Sequence, residues 1–272
     1  MTMEAVRRVC GHGVDQITSL VDRSLVTLSP EKRESPPEKR EGGGSSETRE
    51  GGGVRYRLLE TLRQYAAEKL EAAGEADRVR AEHALHFVEL LEAAGPSLRT
   101  GDQLRELAMI DAEQGNLDAA LDHAISSGDG DLALRMIMAR LWPWVMRGRH
   151  REAGKWAAAV LEAVGDEAPR GREMAHALCV LIAPAEPYPA RTRVVPPELL
   201  RALRTLREAD HPAALGSWAI AGGYVGVTDD VLEQSSAMTE MFAGHPDPWT
   251  RATRCSAKRG SSCEGRPWPP PS

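Results

Sequence analysis

The stretch from Val54 to Ala73, VRYRLLETLRQYAAEKLEAA, changes its hydrophobic period part-way along and so limits what the chain can fold into. Val54, Tyr56 and Leu58 alternate with arginines, which is the period-two pattern of a half-buried strand. From Leu58 onward apolar residues recur every three or four positions, as on one face of a helix. Gly74 then supplies a helix stop. The sequence therefore predicts a strand that runs directly into a helix.

A helix, a strand and a polar segment precede this stretch. Val14–Val21 has helical spacing, and Ser24–Leu28 has the composition of a strand. Residues 29–53 contain almost nothing apolar, so this segment cannot bury enough surface to offset its ordering entropy and is predicted to be a disordered loop. A helix, a strand, a loop and a strand in this order form the second half of a winged helix. The insertion at the wing tip is tolerable because loop closure costs grow only logarithmically with length.

The remaining chain has mostly helical spacing and is rich in alanine and leucine, which favours closely packed helices. Asn116 is expected to cap one of these helices, and Pro143 to kink another or to start a new segment. The proline-rich residues 184–197 are predicted to be a loop. The predicted helices are Ala76–Ala94, Gln103–Gln114, Leu117–Ser126, Leu132–Met146, Arg149–Val164, Arg172–Ala183, Glu198–Glu208, Ala213–Val225 and Asp230–Phe242.

Two of the helical segments repeat each other. Gly115 with Ala120 recurs as Gly148 with Ala153, 33 residues further on. A small residue at a helix–helix turn, followed by alanine where two helices cross, is typical of the tetratricopeptide (TPR) hairpin, whose period is about 34 residues. We therefore predict a mainly α chain. It has a partial winged helix over residues 1–74, with two short strands and a long disordered wing insertion at 29–53. A TPR-like array follows over 75–249, and a disordered basic, proline-rich tail over 250–272.

Composition narrows the setting. The net charge of −6 gives no general attraction to nucleic acid. Four scattered cysteines form no CxxC pair, so neither a disulfide framework nor a zinc site is indicated. No apolar run has the length of a membrane span, and the N-terminal residues lack a signal core. We expect a soluble, cytoplasmic protein without a membrane partner.

No motif indicates an enzyme. The segment GRHREAGK, Gly148–Lys155, has one residue too many for a phosphate-binding loop and does not follow a strand. His83 and His86 are spaced like a ligand pair, but no third ligand is evident, so packing or surface histidines are favoured. No serine–histidine–aspartate motif is present. We expect no catalytic residues, no cofactor, no metal and no small-molecule substrate.

The motifs together resemble those of a known family, the STAND-type bacterial transcriptional regulators of the AfsR-like and large LuxR-like groups. The likeness covers about residues 17–164. It rests on LVDRSLV (Leu20–Val26), RYRLLETLRQYAAEKL (Arg55–Leu70), R-x-x-H (Arg80–His83), EQGNLDAALDHAISSGD (Glu113–Asp129) and a tryptophan–glycine–glutamate–alanine pattern (Trp144, Gly148, Glu152, Ala153).

The resemblance implies an ATPase domain before the winged helix, a winged helix that relays nucleotide state, and an array that senses or holds a partner. It also implies a separate domain that binds the promoter. This chain contains no ATPase motif, so the resemblance suggests a C-terminal part of such a regulator.

A winged helix can also bind DNA, with a helix in the major groove and the wing on phosphate. The candidate recognition helix and its end carry Asp15 and Asp22 against Arg23, so a basic face is lacking. A structural winged helix is therefore favoured over a DNA reader. The candidate phosphate contacts are Arg23, Arg55, Arg57 and Arg63.

Trp142, Trp144 and Trp156 cluster around one predicted hairpin. Such residues usually form core between helices, whereas exposed aromatics would line a partner groove. The first hypothesis is a non-enzymatic regulatory and protein-interaction module acting in signal transduction. The alternatives are a stand-alone winged-helix DNA-binding regulator, and a truncated or frameshifted fragment without independent function.

Overall fold

The computed structural model describes residues 2–11, 14–30, 54–183 and 197–208. These ranges are mainly α-helical and contain two short strands, as predicted. The predicted helices Ala213–Val225 and Asp230–Phe242, the proline-rich loop, most of the wing insertion and the tail lie outside the described residues. The elements are α1 (Met3–Cys10), α2 (Val14–Asp22), β1 (Val26–Pro30), β2 (Val54–Leu58), α3 (Glu60–Ala72), α4 (Ala76–Ala94), a short 3₁₀ turn (Ser97–Arg99), α5 (Gln103–Ala112), α6 (Gln114–Ser126), α7 (Gly130–Met146), α8 (His150–Val164), α9 (Glu173–Ile182) and α10 (Pro197–Glu208).

The two strands form the wing of a partial winged helix, which confirms this part of the predicted fold. They pair antiparallel, with Val26 opposite Leu58. Strand β1 begins two residues later than predicted because Arg23 and Ser24 form a turn after α2. Ser24 adopts a left-handed conformation with φ 56°, and the next amide, of Leu25, donates to the carbonyl of Leu20 at 2.9 Å. Hydrogen bonds that close back over a helix in this way are typical of helix C-termini.

The predicted inward face of β2 is wrong. Arg55 is buried and only 8% exposed, whereas Leu58 at the other end of the strand is 47% exposed. The following helix α3 begins and ends close to its predicted bounds but has no buried residue, and Tyr65 is 58% exposed. Hydrophobic alternation failed here because Arg55 has a buried anionic partner, described below.

The described chain divides into two compact units. The first takes Met1–Leu90 and Ala112–His123. Its core draws on α1, which the sequence did not predict because its apolar pattern is only a few residues long. Thr2 caps α1 by accepting a hydrogen bond from the amide of Ala5 at 3.3 Å. The fully or almost fully buried apolar residues of this unit include Ala5, Val6, Val9, Ala84, Phe87, Val88, Leu117, Ala120 and Leu121.

The second unit takes Leu91–Asp111 and the described chain from Ala124 onward. In it α7 packs on α8, α8 on α9, and α9 on α10. Helices α8 and α9 approach closely at Gly154, where an added Cβ would lie 2.8 Å from the carbonyl oxygen of Ile182. Glycine is therefore required at this position for the two helices to pack as they do.

The structure contradicts the predicted cap at Asn116 and one of the two alternatives predicted for Pro143. Helix α6 begins at Gln114, so Asn116 lies in its first turn and is not the N-cap. Its side chain instead donates to a neighbouring carboxylate. Helix α7 continues through Pro143 to Met146, so Pro143 does not start a new segment.

The two glycines of the sequence repeat differ in conformation. Gly148 has a φ of +66° and follows the end of α7, where only glycine is free of strain. Gly115 lies within α6 and has no positive φ. The TPR-like register stays a prediction, although Ala120 and Ala153 are both buried as it requires. In the described part of the chain no helix has the length and apolar character of a membrane span.

Candidate functional site

A buried ion pair joins strand β2 to the turn between α5 and α6. A guanidinium nitrogen (Nη1) of Arg55 lies 2.6 Å from Oε1 of Glu113, and Arg55 and Glu113 are 8% and 4% exposed. Arg55 also donates from Nη2 to the carbonyl oxygen of Ala112 at 2.7 Å. Two donors of one guanidinium thus hold a carboxylate and a helix C-terminal carbonyl together, a geometry that the planar fork of arginine allows.

The second oxygen of Glu113 is also satisfied. Asn116 donates from Nδ2 to Oε2 of Glu113 at 2.5 Å. Asn116 in turn shares a hydrogen bond with His83 on α4, and burial holds the pKa of His83 below its usual value despite that bond. Residues from β2, α4 and the α5–α6 turn are therefore linked into one polar network, which specifies their arrangement more narrowly than apolar packing does.

His86 lies close by but has no polar partner. It is 5% exposed, and neither ring nitrogen has a hydrogen bond. Its ring meets that of Phe87 edge-on at 4.9 Å, and His83 contacts the same ring at 4.6 Å. Burial lowers the pKa of His86, and the nearby Arg8 on α1 acts in the same direction. Among the described residues no histidine, cysteine and carboxylate group is arranged to hold a metal. Both histidines contact the ring of Phe87, so the pair takes part in packing.

The four candidate phosphate contacts are not equivalent. Arg55 cannot contact a phosphate in this structure, because it is buried and forms an ion pair with Glu113. Arg63 is exposed and lies 2.8 Å from Glu60, so its charge is partly neutralised. Arg23 and Arg57 are exposed. Two exposed arginines and one paired arginine should attract duplex DNA only weakly, since affinity for duplex DNA grows with the number of phosphates neutralised.

The three tryptophans also differ. Trp144 is buried, and its indole N–H donates to Oε1 of Glu152 at 3.1 Å. The guanidinium carbon of Arg140 lies 4.4 Å from the centre of a Trp144 ring, a cation–π contact inside the second unit. Trp142 and Trp156 are partly exposed. Trp144 thus belongs to the core, as predicted for such residues, whereas Trp142 and Trp156 are only half-buried.

Neither of the two cysteines in the described part of the chain is activated as a nucleophile. Cys179 is buried, which raises the pKa of its thiol to about 12, and burial also raises the pKa of Cys10. A thiol in this state is a poor nucleophile near neutral pH. Both glycines of the Gly148–Lys155 segment have structural roles. Gly148 follows the end of α7 with a positive φ, and Gly154 allows α9 to pack closely against α8.

Sequence reasoning missed most of the buried polar residues. The sequence gives no sign that Glu113 and Arg140 are buried, and it predicts Asn116 as a helix cap rather than as a partner of Glu113. No periodic signal marks such residues, because a charge is tolerated in a core only when a partner far away in the sequence meets it.

The chain is similar to three curated proteins that share one kind of name. The chain is 32% identical over 212 residues, 74% of its length, to the protein named "Putative HTH-type transcriptional regulator Rv0890c" of Mycobacterium tuberculosis strain H37Rv. It has the same similarity to the correspondingly named proteins of Mycobacterium tuberculosis strain CDC 1551 and of Mycobacterium bovis. The aligned part is 21% of each relative, so the chain spans about a fifth of their length. No family model matches the chain, and no solved structure matches it.

Proposed function

We propose that the chain is a non-enzymatic regulatory and protein-interaction module of a transcriptional regulator. The observation that carries this proposal is the similarity, over three quarters of the chain, to proteins named as HTH-type transcriptional regulators. The finer assignment to the STAND-type group rests on the motif resemblance and belongs to the proposal. So does the assignment of the helical hairpins to a TPR-like array that holds or senses a protein partner.

Two features favour protein interaction over DNA binding. Of the four candidate phosphate contacts, Arg55 is buried, and Arg63 on α3 is paired with Glu60. The α7–α8 hairpin carries two partly exposed aromatic side chains, Trp142 and Trp156. Tryptophan is enriched among the residues that dominate binding energies at protein interfaces.

Affinity capture with matched variants tests this proposal. The full chain and its Trp142→Ala and Trp156→Ala variants are immobilised, and bound proteins are quantified by mass spectrometry. Tyr65→Ala serves as the control because Tyr65 is an exposed aromatic residue of the other unit. A partner retained by wild type and by the control but lost from a tryptophan variant supports the proposal. Identical retention by all four proteins contradicts the proposed surface.

The second candidate function is a stand-alone winged-helix DNA-binding regulator. The name of the relatives and the exposure of Arg23 and Arg57 favour it. The two functions differ in salt dependence, because each phosphate contact releases counterions and steepens the loss of affinity with rising salt.

A further inference from the structure

A cavity of about 320 Å³ opens in the second unit. Its walls come from the end of α4, one face of α7 and the start of α9. Its apolar floor is formed by Leu91, Leu134, Met138, Met174 and Ala175, of which Leu91, Leu134 and Ala175 are buried. The volume falls at the lower end of the range of small-molecule sites, which are mostly apolar with a few polar groups that fix orientation.

The residues that line the cavity carry more positive than negative charges. Arg135 and Glu92 both line the cavity and pair with each other in a two-pronged bond, at 2.9 and 2.8 Å. Arg172 lines it as well, but its partner Asp131 is not part of the wall. The lining therefore carries two arginines against one glutamate, a surplus of one positive charge.

We propose that this cavity binds a small amphipathic carboxylate, with its apolar body on the floor and its carboxylate on Arg172. The guanidinium of Arg172 is bound to Asp131 through both oxygens, at 2.6 and 3.2 Å. The incoming carboxylate takes over these two bonds. A planar guanidinium recognises any carboxylate in this way, so the exchange conserves the number of charge-assisted hydrogen bonds.

The exchange is feasible because the existing pair is solvated. The side chains of Arg172 and Asp131 are 35% and 52% exposed. Ion pairs of this kind contribute little to stability, since water and salt screen them. The released Asp131 remains hydrated, whereas a ligand that carries the same carboxylate on an apolar body also gains burial on the cavity floor.

The methionines suit a floor that must adapt to its ligand. Met138 and Met174 have unbranched, polarizable side chains that fill irregular gaps. The floor therefore discriminates weakly among apolar bodies of similar size, while Arg172 discriminates for one negative charge. This site goes beyond the proposed function, because it requires neither a DNA contact nor the tryptophan surface.

Calorimetric titration of the full chain with octanoate tests the proposal, with acetate and octanol as matched probes. We expect octanoate to bind, acetate to bind at least tenfold more weakly because it lacks the apolar body, and octanol at least tenfold more weakly because it lacks the charge. Absence of octanoate binding, or equal binding of octanol, overturns the proposal.

Variants locate the binding. Arg172→Gln should weaken octanoate binding at least tenfold, and Arg170→Gln, a neighbouring exposed arginine outside the cavity, should leave it unchanged. Ala139→Leu should also weaken it by filling the cavity from α7. Melting curves verify that each variant is folded, and partly exposed sites tolerate such changes. Unchanged affinity in Arg172→Gln or in Ala139→Leu contradicts the site.

Discussion

Arg55 on the wing strand and Glu113 at the α5–α6 turn form an ion pair of 2.6 Å from which water is almost fully excluded. Such a pair adds little net stability compared with apolar packing, but removing one partner leaves a buried charge without compensation. The pair is thus better understood as a device that fixes one arrangement of the strand and the turn.

Glu113→Ala should lower the free energy of unfolding by about 3–5 kcal/mol, because the buried guanidinium of Arg55 loses its counterion. Urea denaturation measures the change. The matched control is Glu60→Ala, which breaks the exposed pair with Arg63 and should have no measurable effect.

The double variant Arg55→Met with Glu113→Leu should recover most of the stability lost in Glu113→Ala, since apolar side chains of similar size replace both charges. If the double variant is as unstable as the single one, the loss arises from packing and the ion pair is not its cause.

His86 should make stability depend on pH. The fold holds the pKa of His86 below its ordinary value of 6.5, so the folded state favours the neutral ring. The neutral ring therefore makes its full contribution to the free energy of unfolding above about pH 6.5. This contribution is lost as the pH falls through the lowered pKa of the folded state. The charged groups around it are Glu4 and Arg8 on α1, Glu89 on α4 and Glu113, and the first three are partly or fully exposed.

The measurement is the melting temperature of wild type and His86→Leu at pH 7.5 and 5.5. Leucine removes two buried nitrogens without hydrogen bonds, so the variant should be at least as stable at pH 7.5 and lose less on acidification. His150→Leu, at an exposed position, is the control and should behave like wild type. A steeper acid loss in His86→Leu than in wild type would refute the assignment.

Two glycine substitutions should act in opposite directions. Gly154→Ala should destabilise the second unit by about 1–3 kcal/mol, because its Cβ would lie 2.8 Å from the backbone oxygen of Ile182 and the helices must move apart. Gly115→Ala has open space around its Cβ and sits in a helix, so it should stabilise by about 0.4–1 kcal/mol. Chemical denaturation of both variants and of wild type measures these changes in the free energy of unfolding. Stabilisation by Gly154→Ala would mean that α8 and α9 are not closely packed there.

The sequence predicted regular elements better than their environments. Strand β2 and helix α4 begin and end where periodicity placed them, because Val54–Leu58 and Ala76–Ala94 have clear local patterns. The inward face of β2 could not be predicted, since the burial of Arg55 depends on Glu113, which is distant in the chain. Similarly, α6 begins before Asn116, and the side chain of Asn116 bonds to that glutamate, which a cap preference does not reveal.

For the candidate sites too, local sequence predicted exposure in some cases, whereas burial depended on partners that the local sequence does not specify. Exposure of Arg23, Arg57 and Arg63 agrees with their polar surroundings in the sequence. The difference between Trp144 and its neighbours Trp142 and Trp156 arises from the partner Glu152 and the stacked Arg140, which helical spacing alone does not specify.

The most direct test of the central claim, that this chain acts through proteins and does not read DNA, is its affinity for duplex DNA at several salt concentrations. Fluorescence anisotropy with the full chain should show weak binding. A plot of the logarithm of the binding constant against the logarithm of the salt concentration should have a slope near zero. The double variant Arg23→Gln with Arg57→Gln should match wild type, as should the control Arg151→Gln. A slope of about −2 or steeper, which corresponds to two or more phosphate contacts, together with its reduction in the double variant alone, would contradict the claim and establish the wing and α2 as a DNA-binding surface.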